Sequence, residues 1–209
     1  MVLPLYLAMT PLEFRPIPHA ACLLLEPSEV PPGALPVITD RFPPDRQWLL
    51  RICQSREAVL LDFEHPATSE VRAVIRGLPC PAAAPPGYAD EGPVFLPPAP
   101  LHVPLEEYLA PWKGREIWLE AALQSQTVSV TAEGSTVFPP CTNTNLADGF
   151  YCETLRCRFT QNFSENRAVF TIFDTPETLK MKFLHAADLG VTRFVGLYQE
   201  LGEKHMSTY

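Results

Sequence analysis

Short, continuously apolar runs recur along this chain, and they decide what it can build. They are Leu5–Met9, Ala21–Leu25, Leu35–Thr39, Ala58–Phe63, Val94–Leu96, Glu116–Leu123, Val169–Phe173 and Phe194–Tyr198. Runs this short without alternation suit strands buried on both faces, the pattern of a parallel sheet covered by helices. Three helices are legible between them. Pro44–Ser55 puts Trp48, Leu49, Ile52 and Cys53 on one stripe. Thr68–Gly77 opens on a Thr-Ser cap and carries Val71, Val74 and Ile75 inward. Thr175–Leu189 has Asp174 or Thr175 as cap, Pro176 in the first turn and Gly190 as its stop.

Strand-then-helix units follow at Leu35–Ser55, Ala58–Leu78 and Val169–Leu189, which implies a parallel sheet with right-handed crossovers. The predicted fold is α/β, a small, partly degraded (β/α)8 TIM-type barrel filling one domain over 1–203, with a polar C-terminal tail at 204–209. The word degraded refers to connections too short or proline-rich for a full helix, namely Pro11–Ala20, Glu26–Ala34 and Pro97–Pro111. The 24 prolines fall between the apolar runs and read as loop punctuation. A doubly wound open sheet would carry a glycine-rich phosphate turn after a strand, and the sequence has none. One segment breaks the rhythm. Gln126–Val137 alternates, turns at Ala-Glu-Gly-Ser and alternates again, which predicts a β-hairpin. Tyr151–Phe159 and Asn166–Phe173 suggest a second antiparallel pair. A hairpin-rich insertion at about 124–167, between the sixth and seventh barrel strands, is expected.

A formal charge of −8 argues against a nucleic-acid partner and against docking on anionic membranes, both of which need clustered Lys and Arg. Met1–Phe14 is apolar but lacks a basic leading region and is broken by Pro4 and Pro11, so a cytoplasmic address is expected. The six cysteines form no dense framework and read as reduced thiols. Cys141, Cys152 and Cys157 lack a C-x-x-C pair, so a zinc centre is not expected, and no cofactor is implied. The sequence leaves the oligomeric state open.

The best candidate site is Asp62-Phe63-Glu64, at the end of the fourth run. Side chains at i and i+2 of a strand share a face, so both carboxylates point one way and Phe63 the other. With Phe63 under the helix layer, Asp62 and Glu64 point into the barrel mouth, at the strand ends where barrel sites are built. Two such carboxylates disfavour double ionisation, leaving one able to protonate a leaving oxygen. The plainer reading has them capping loops or pairing with Arg. Glu120 ends another run and faces either the mouth or a rim ion pair. Tyr198 and Gln199 end the last run and offer stacking and hydrogen bonds. Asp40 either lines the mouth or caps the helix after it. Trp118 is expected in the helix layer and Trp112 as a loop anchor, with His65 on the rim.

Glu57-Ala-Val-Leu-Leu-Asp62-Phe63-Glu64 resembles the D-x-x-D-x-D-x-E signature of family-18 glycoside hydrolases, the chitinase-like barrels. Phe173–Lys182 followed by Ala187–Val191 resembles that family's closing helix and last strand. The resemblance implies that Glu64 is the general acid. It implies that Asp62 orients the substrate's acetamido group, which serves as nucleophile on N-acetylglucosamine glycans. The first signature Asp is Glu57 here and the middle one is Leu60. Ile117–Glu120 lacks the family's Tyr-Asp ending, and Leu197–Glu200 lacks its sugar-stacking Trp. These departures point to an altered substrate or to a barrel that binds a sugar or protein without turning it over. A structural barrel that self-associates through its hairpin is the third possibility.

Overall fold

The computed structural model describes residues 4–41, 45–54, 56–142 and 148–202. In chain order the elements begin β1 (Leu5–Met9), β2 (Ala20–Leu24), β3 (Leu35–Thr39), α1 (Arg46–Gln54), β4 (Val59–Asp62), α2 (Ser69–Arg76), β5 (Ala82–Ala83) and β6 (Val94–Leu96). They continue α3 (Leu105–Leu109), β7 (Ile117–Ala121), β8 (Gln124–Thr131), β9 (Gly134–Val137), β10 (Cys141–Thr142) and β11 (Phe150–Cys152). They end β12 (Cys157–Ser164), β13 (Arg167–Phe173), α4 (Pro176–Asp188), β14 (Val191–Leu197) and α5 (Tyr198–Leu201). The chain divides into two compact units. The first holds Met1–Pro97, Trp112–Ala121 and Gly190–Gly202, and the second holds Pro98–Pro111, Ala122–Leu189 and Glu203–Tyr209. The tail expected at 204–209 lies outside the described residues, as do Pro44 and Ser55 at the ends of the first predicted helix.

The first unit is a nearly closed parallel barrel. Its strands run β5-β4-β3-β2-β1-β14-β7-β6, which is sequence order around a ring. β5 and β6 are joined by one parallel bridge, Ala84 to Val94, with the Phe95 N–H donating to the Ala84 carbonyl at 2.8 Å. Alternation sorts the side chains into two cores. Ala8, Leu35, Val37, Leu60, Phe95, Trp118 and Val195 meet inside the ring. Leu24, Ile38, Val59, Leu61 and Phe63 face outward under Trp48, Leu49 and Ile52 of α1 and Ile75 of α2. Each fully buried aliphatic or aromatic side chain contributes about 1.5–3 kcal/mol. Trp118 belongs to the inner core, which corrects its expected place in the helix layer. The Arg193 guanidinium lies 4.5 Å from its ring centroid, and its Nε1–H donates to Glu116 at 2.8 Å.

Helix starts obey the capping chemistry. Asp45 accepts from the Gln47 and Trp48 N–H groups, and Thr68 accepts from Val71. Thr175 and Thr178 form a reciprocal capping box with Pro176 in the first turn of α4. Gly190 follows at φ 100°, a left-handed conformation that glycine adopts without strain.

The second unit carries an antiparallel sheet in the order β10-β8-β13-β12-β11, with β9 paired to β8. The predicted hairpin is β8–β9, with Thr131 opposite Gly134, and β12–β13 form the second antiparallel pair. Two expectations are corrected here. Val169–Phe173 is part of β13 and pairs antiparallel with β8 and β12, so it is not a barrel strand. The barrel gains β5 in its place, which moves the antiparallel segment to the connection between the seventh strand, β7, and the eighth, β14. A full ladder on each side of β13 satisfies its backbone without a place in the ring. Among the described residues no helix is long and apolar enough to cross a membrane.

Candidate functional site

A cavity of about 190 Å³ opens inside the barrel unit at the C-terminal ends of its strands. Its floor is apolar, formed by Ala8, Val37, Leu60, Phe95 and Val195. Asp40, Arg41, Asp62, Glu64 and Glu120 line it above that floor. The alternation argument accounts for this arrangement. Leu60, Asp62 and Glu64 share a face, while Phe63 packs outward, its ring centroid 5.7 Å from that of Tyr88. Trp118 and Glu120 likewise share a face, so Trp118 fills the ring beneath the cavity and Glu120 reaches its wall.

Each carboxylate has its own surroundings. Burial pushes Asp62 above the usual carboxylate range, and the charges of Glu64 and Asp40 add to the shift while Arg41 opposes it. Burial raises Glu120 to about 7, helped by the neighbouring charges of Asp62 and Glu200. Burial also acts on Asp40, but hydrogen bonds outweigh it and hold the carboxyl below its ordinary value. Its Oδ2 accepts from the Glu64 N–H at 3.0 Å, the His65 N–H at 2.8 Å and His65 Nδ1 at 2.9 Å. Asp40 therefore anchors the loop that carries Glu64, and the cap of α1 is Asp45 instead. Glu64 itself is exposed at the rim.

The structure brings Asp62, Glu64, Glu120 and Asp40 to one cavity and leaves Tyr198 and Gln199 off its lining. β14 ends at Leu197, and the chain turns at once into α5. The Arg15 guanidinium lies 5.8 Å from the Tyr198 ring centroid, and Gln199 Nε2 donates to Glu13 at 3.0 Å. Gly196 permits the turn's close packing, because a Cβ there would sit 2.5 Å from both the Ala121 carbonyl oxygen and Leu201 Cδ1. Arg41 is the lining residue that the sequence reading missed. Its signal was its position directly after Asp40, at the end of β3. Among the described residues no group of three or more His, Cys, Asp or Glu is placed to hold a metal ion.

No protein-family model matches the chain. No curated protein matches it either. Among solved structures, the spore cortex-lytic enzyme SleL of Bacillus cereus aligns with 93% of this chain and 70% of its own length. The TM-score is 0.50 and the sequence identity 11%. At that identity the likeness is one of fold.

Proposed function

We propose that the protein is a glycoside hydrolase-like barrel of the TIM type whose mouth takes an N-acetylglucosamine-containing glycan. The observation that carries this reading is the meeting of Asp62, Glu64 and Glu120 around one cavity, on the C-terminal ends of two barrel strands. Glu64 is the acid. It stands at the rim, where a glycosidic oxygen is accessible, on a loop fixed by Asp40. Asp62, half-buried on an apolar floor, orients the acetamido group. The acetamido oxygen attacks the anomeric carbon, the glycosidic C–O bond breaks, and the Glu64 proton passes to the leaving oxygen. Water then attacks the anomeric carbon, the bond to the acetamido oxygen breaks and restores the acetamido group, and the water's proton passes to Glu64. Glu120, raised to about 7, is largely uncharged in mildly acidic solution and there adds nothing to the charges of Glu64 and Asp40 that already act on Asp62. The family-18 resemblance around Asp62 and Glu64 supports this assignment, and a lytic enzyme of similar fold is consistent with it.

The test is hydrolysis of a chromogenic N-acetylglucosamine oligomer across about pH 4–8, a range that brackets a carboxyl acid–base pair. The parent should turn over, and Glu64→Gln should lose about 10²–10⁴-fold, the usual contribution of a general acid. Equal hydrolysis by both would refute the assignment. A second reading, a barrel that binds without turnover, is favoured by one observation. Leu60 lies in the cavity floor, where the family signature has an aspartate, so Asp62 lacks an acidic partner beneath it. Oligomer binding without turnover in the parent decides for that reading.

A further inference from the structure

Cys152 and Cys157 face each other directly across the β11–β12 ladder, as the last pair before the turn at 153–156. Directly opposed residues project to the same side of a sheet. Both thiols accordingly join one apolar cluster with Leu101, Ile172 and Phe159. Opposed Cα atoms in an antiparallel ladder are about 4.5–5.5 Å apart, which lies within the span a disulfide bridges. That spacing lets the two residues be bridged without moving the backbone. The second unit's other cysteine, Cys141, is far from Cys152. The strand carrying Cys141, β10, forms the opposite edge of the sheet from β11. Three strands intervene, placing Cys141 roughly 19 Å away at the usual strand spacing.

We propose that Cys152 and Cys157 are a redox-modification site that closes to a cross-strand disulfide by exchange with an oxidised small-molecule or protein disulfide. Exposure sets the order of events. Cys157 is fully buried, and burial pushes its thiol up to about 12, against the pull of Lys182. Cys152 is half-buried and meets the reagent first. The Cys152 thiolate attacks one sulfur of the incoming disulfide, a mixed disulfide forms, and the other sulfur leaves as a thiolate. Cys157 then gives up its proton, and its sulfur attacks Cys152 Sγ. The Cys152–Cys157 bond forms, and the second reagent sulfur leaves. The two protein thiols lose two electrons and two protons, and the reagent is reduced to two thiols by the same amount.

The test is peptide mapping of the full chain after equilibration with oxidised glutathione, followed by acid quenching and alkylation of the remaining thiols. Cleavage at Asp148 and Arg156 separates Cys141, Cys152 and Cys157 onto different peptides. The expected result is a Cys152–Cys157 linked pair, lighter by two hydrogens than the separate peptides and parted by reduction. Cys157→Ser should trap glutathione on Cys152, and Cys152→Ser should leave Cys157 unmodified. The inference is overturned if Cys152 links to another cysteine, if both thiols are alkylated, or if the parent accumulates the glutathione adduct. The map of the parent decides even where a variant fails to fold.

Discussion

The Asp40 carboxylate holds the backbone of Glu64. Its Oδ2 accepts the Glu64 N–H at 3.0 Å and, from the next residue, the His65 N–H at 2.8 Å. Two adjacent barrel strands are thereby tied at their ends, because Asp40 follows β3 and Glu64 follows β4. Asp40→Ala leaves both N–H groups to water and should cost about 1–3 kcal/mol in urea unfolding. Asp40→Asn keeps an acceptor and should cost less. The Asp40 carboxyl is depressed in the fold, so its stabilisation is full above the unfolded value of about 3.9 and is lost as the pH falls below it. Urea midpoints at acidic pH should show this loss in the parent and not in Asp40→Ala. Equal midpoints for parent and variant at neutral pH would show that the loop does not need its anchor.

Glu120 titrates in the opposite sense. Its carboxyl is raised to about 7, so the folded state holds a proton that the unfolded chain releases. Stability contributed by the protonated form is present below the unfolded value of about 4.3 and declines as the pH rises through 7. Glu120→Gln removes the titration. At pH 8 it should be more stable than the parent, by at most about 4 kcal/mol. Denaturant midpoints of the two proteins, measured from acid to alkaline pH, should diverge with rising pH. Parallel curves would remove Glu120 from the buried wall.

Trp118 fills the ring beneath the cavity and is fully buried. Trp118→Ala should cost about 3–5 kcal/mol, the range for deleting a large aromatic from a core. Calorimetry reads this as a lowered Tm. A loss below about 1 kcal/mol would place the ring at the surface.

In the second unit, Lys182 Nζ lies 2.6 Å from the buried Asp174 Oδ1. Lys182→Met removes the counter-charge, leaves the Thr178 hydroxyl and Gln124 on the carboxylate, and should cost about 3–5 kcal/mol. Adding Asp174→Leu should restore part of the loss, since it removes the buried charge together with its bonds to Thr178 and Gln124. Additive losses in the double variant would argue that each residue acts separately.

Strand parity explains much of what the sequence made legible. Asp62 and Glu64 could be assigned to one face, and Phe63 to the other, without knowing the neighbours. The same rule also binds Trp118 to the face of Glu120. A mouth-facing Glu120 and a Trp118 in the helix layer are incompatible under that rule, and the structure puts both on the inner face. β5 was missed because two alanines among prolines carry no apolar pattern, although Ala83 is fully buried. Val169–Phe173 reads as a barrel strand because a short apolar run does not say which sheet will pair with it. Tyr198 and Gln199 read as the end of a strand that stops at Leu197, because the tight packing at Gly196 and the onset of α5 leave no mark in the apolar pattern.

The Trp118 ring, with Arg193 against it, makes the barrel a blind well. A molecule that enters at the rim must back out by the same route. Nothing threads through the ring, whereas Glu64 stands exposed at the rim, open to a chain laid across it. The well's volume of about 190 Å³ is below the roughly 300–1,000 Å³ of sites for drug-sized ligands. The interior therefore takes only a small group, and the rest of any larger ligand stays at the rim beside the exposed Glu64.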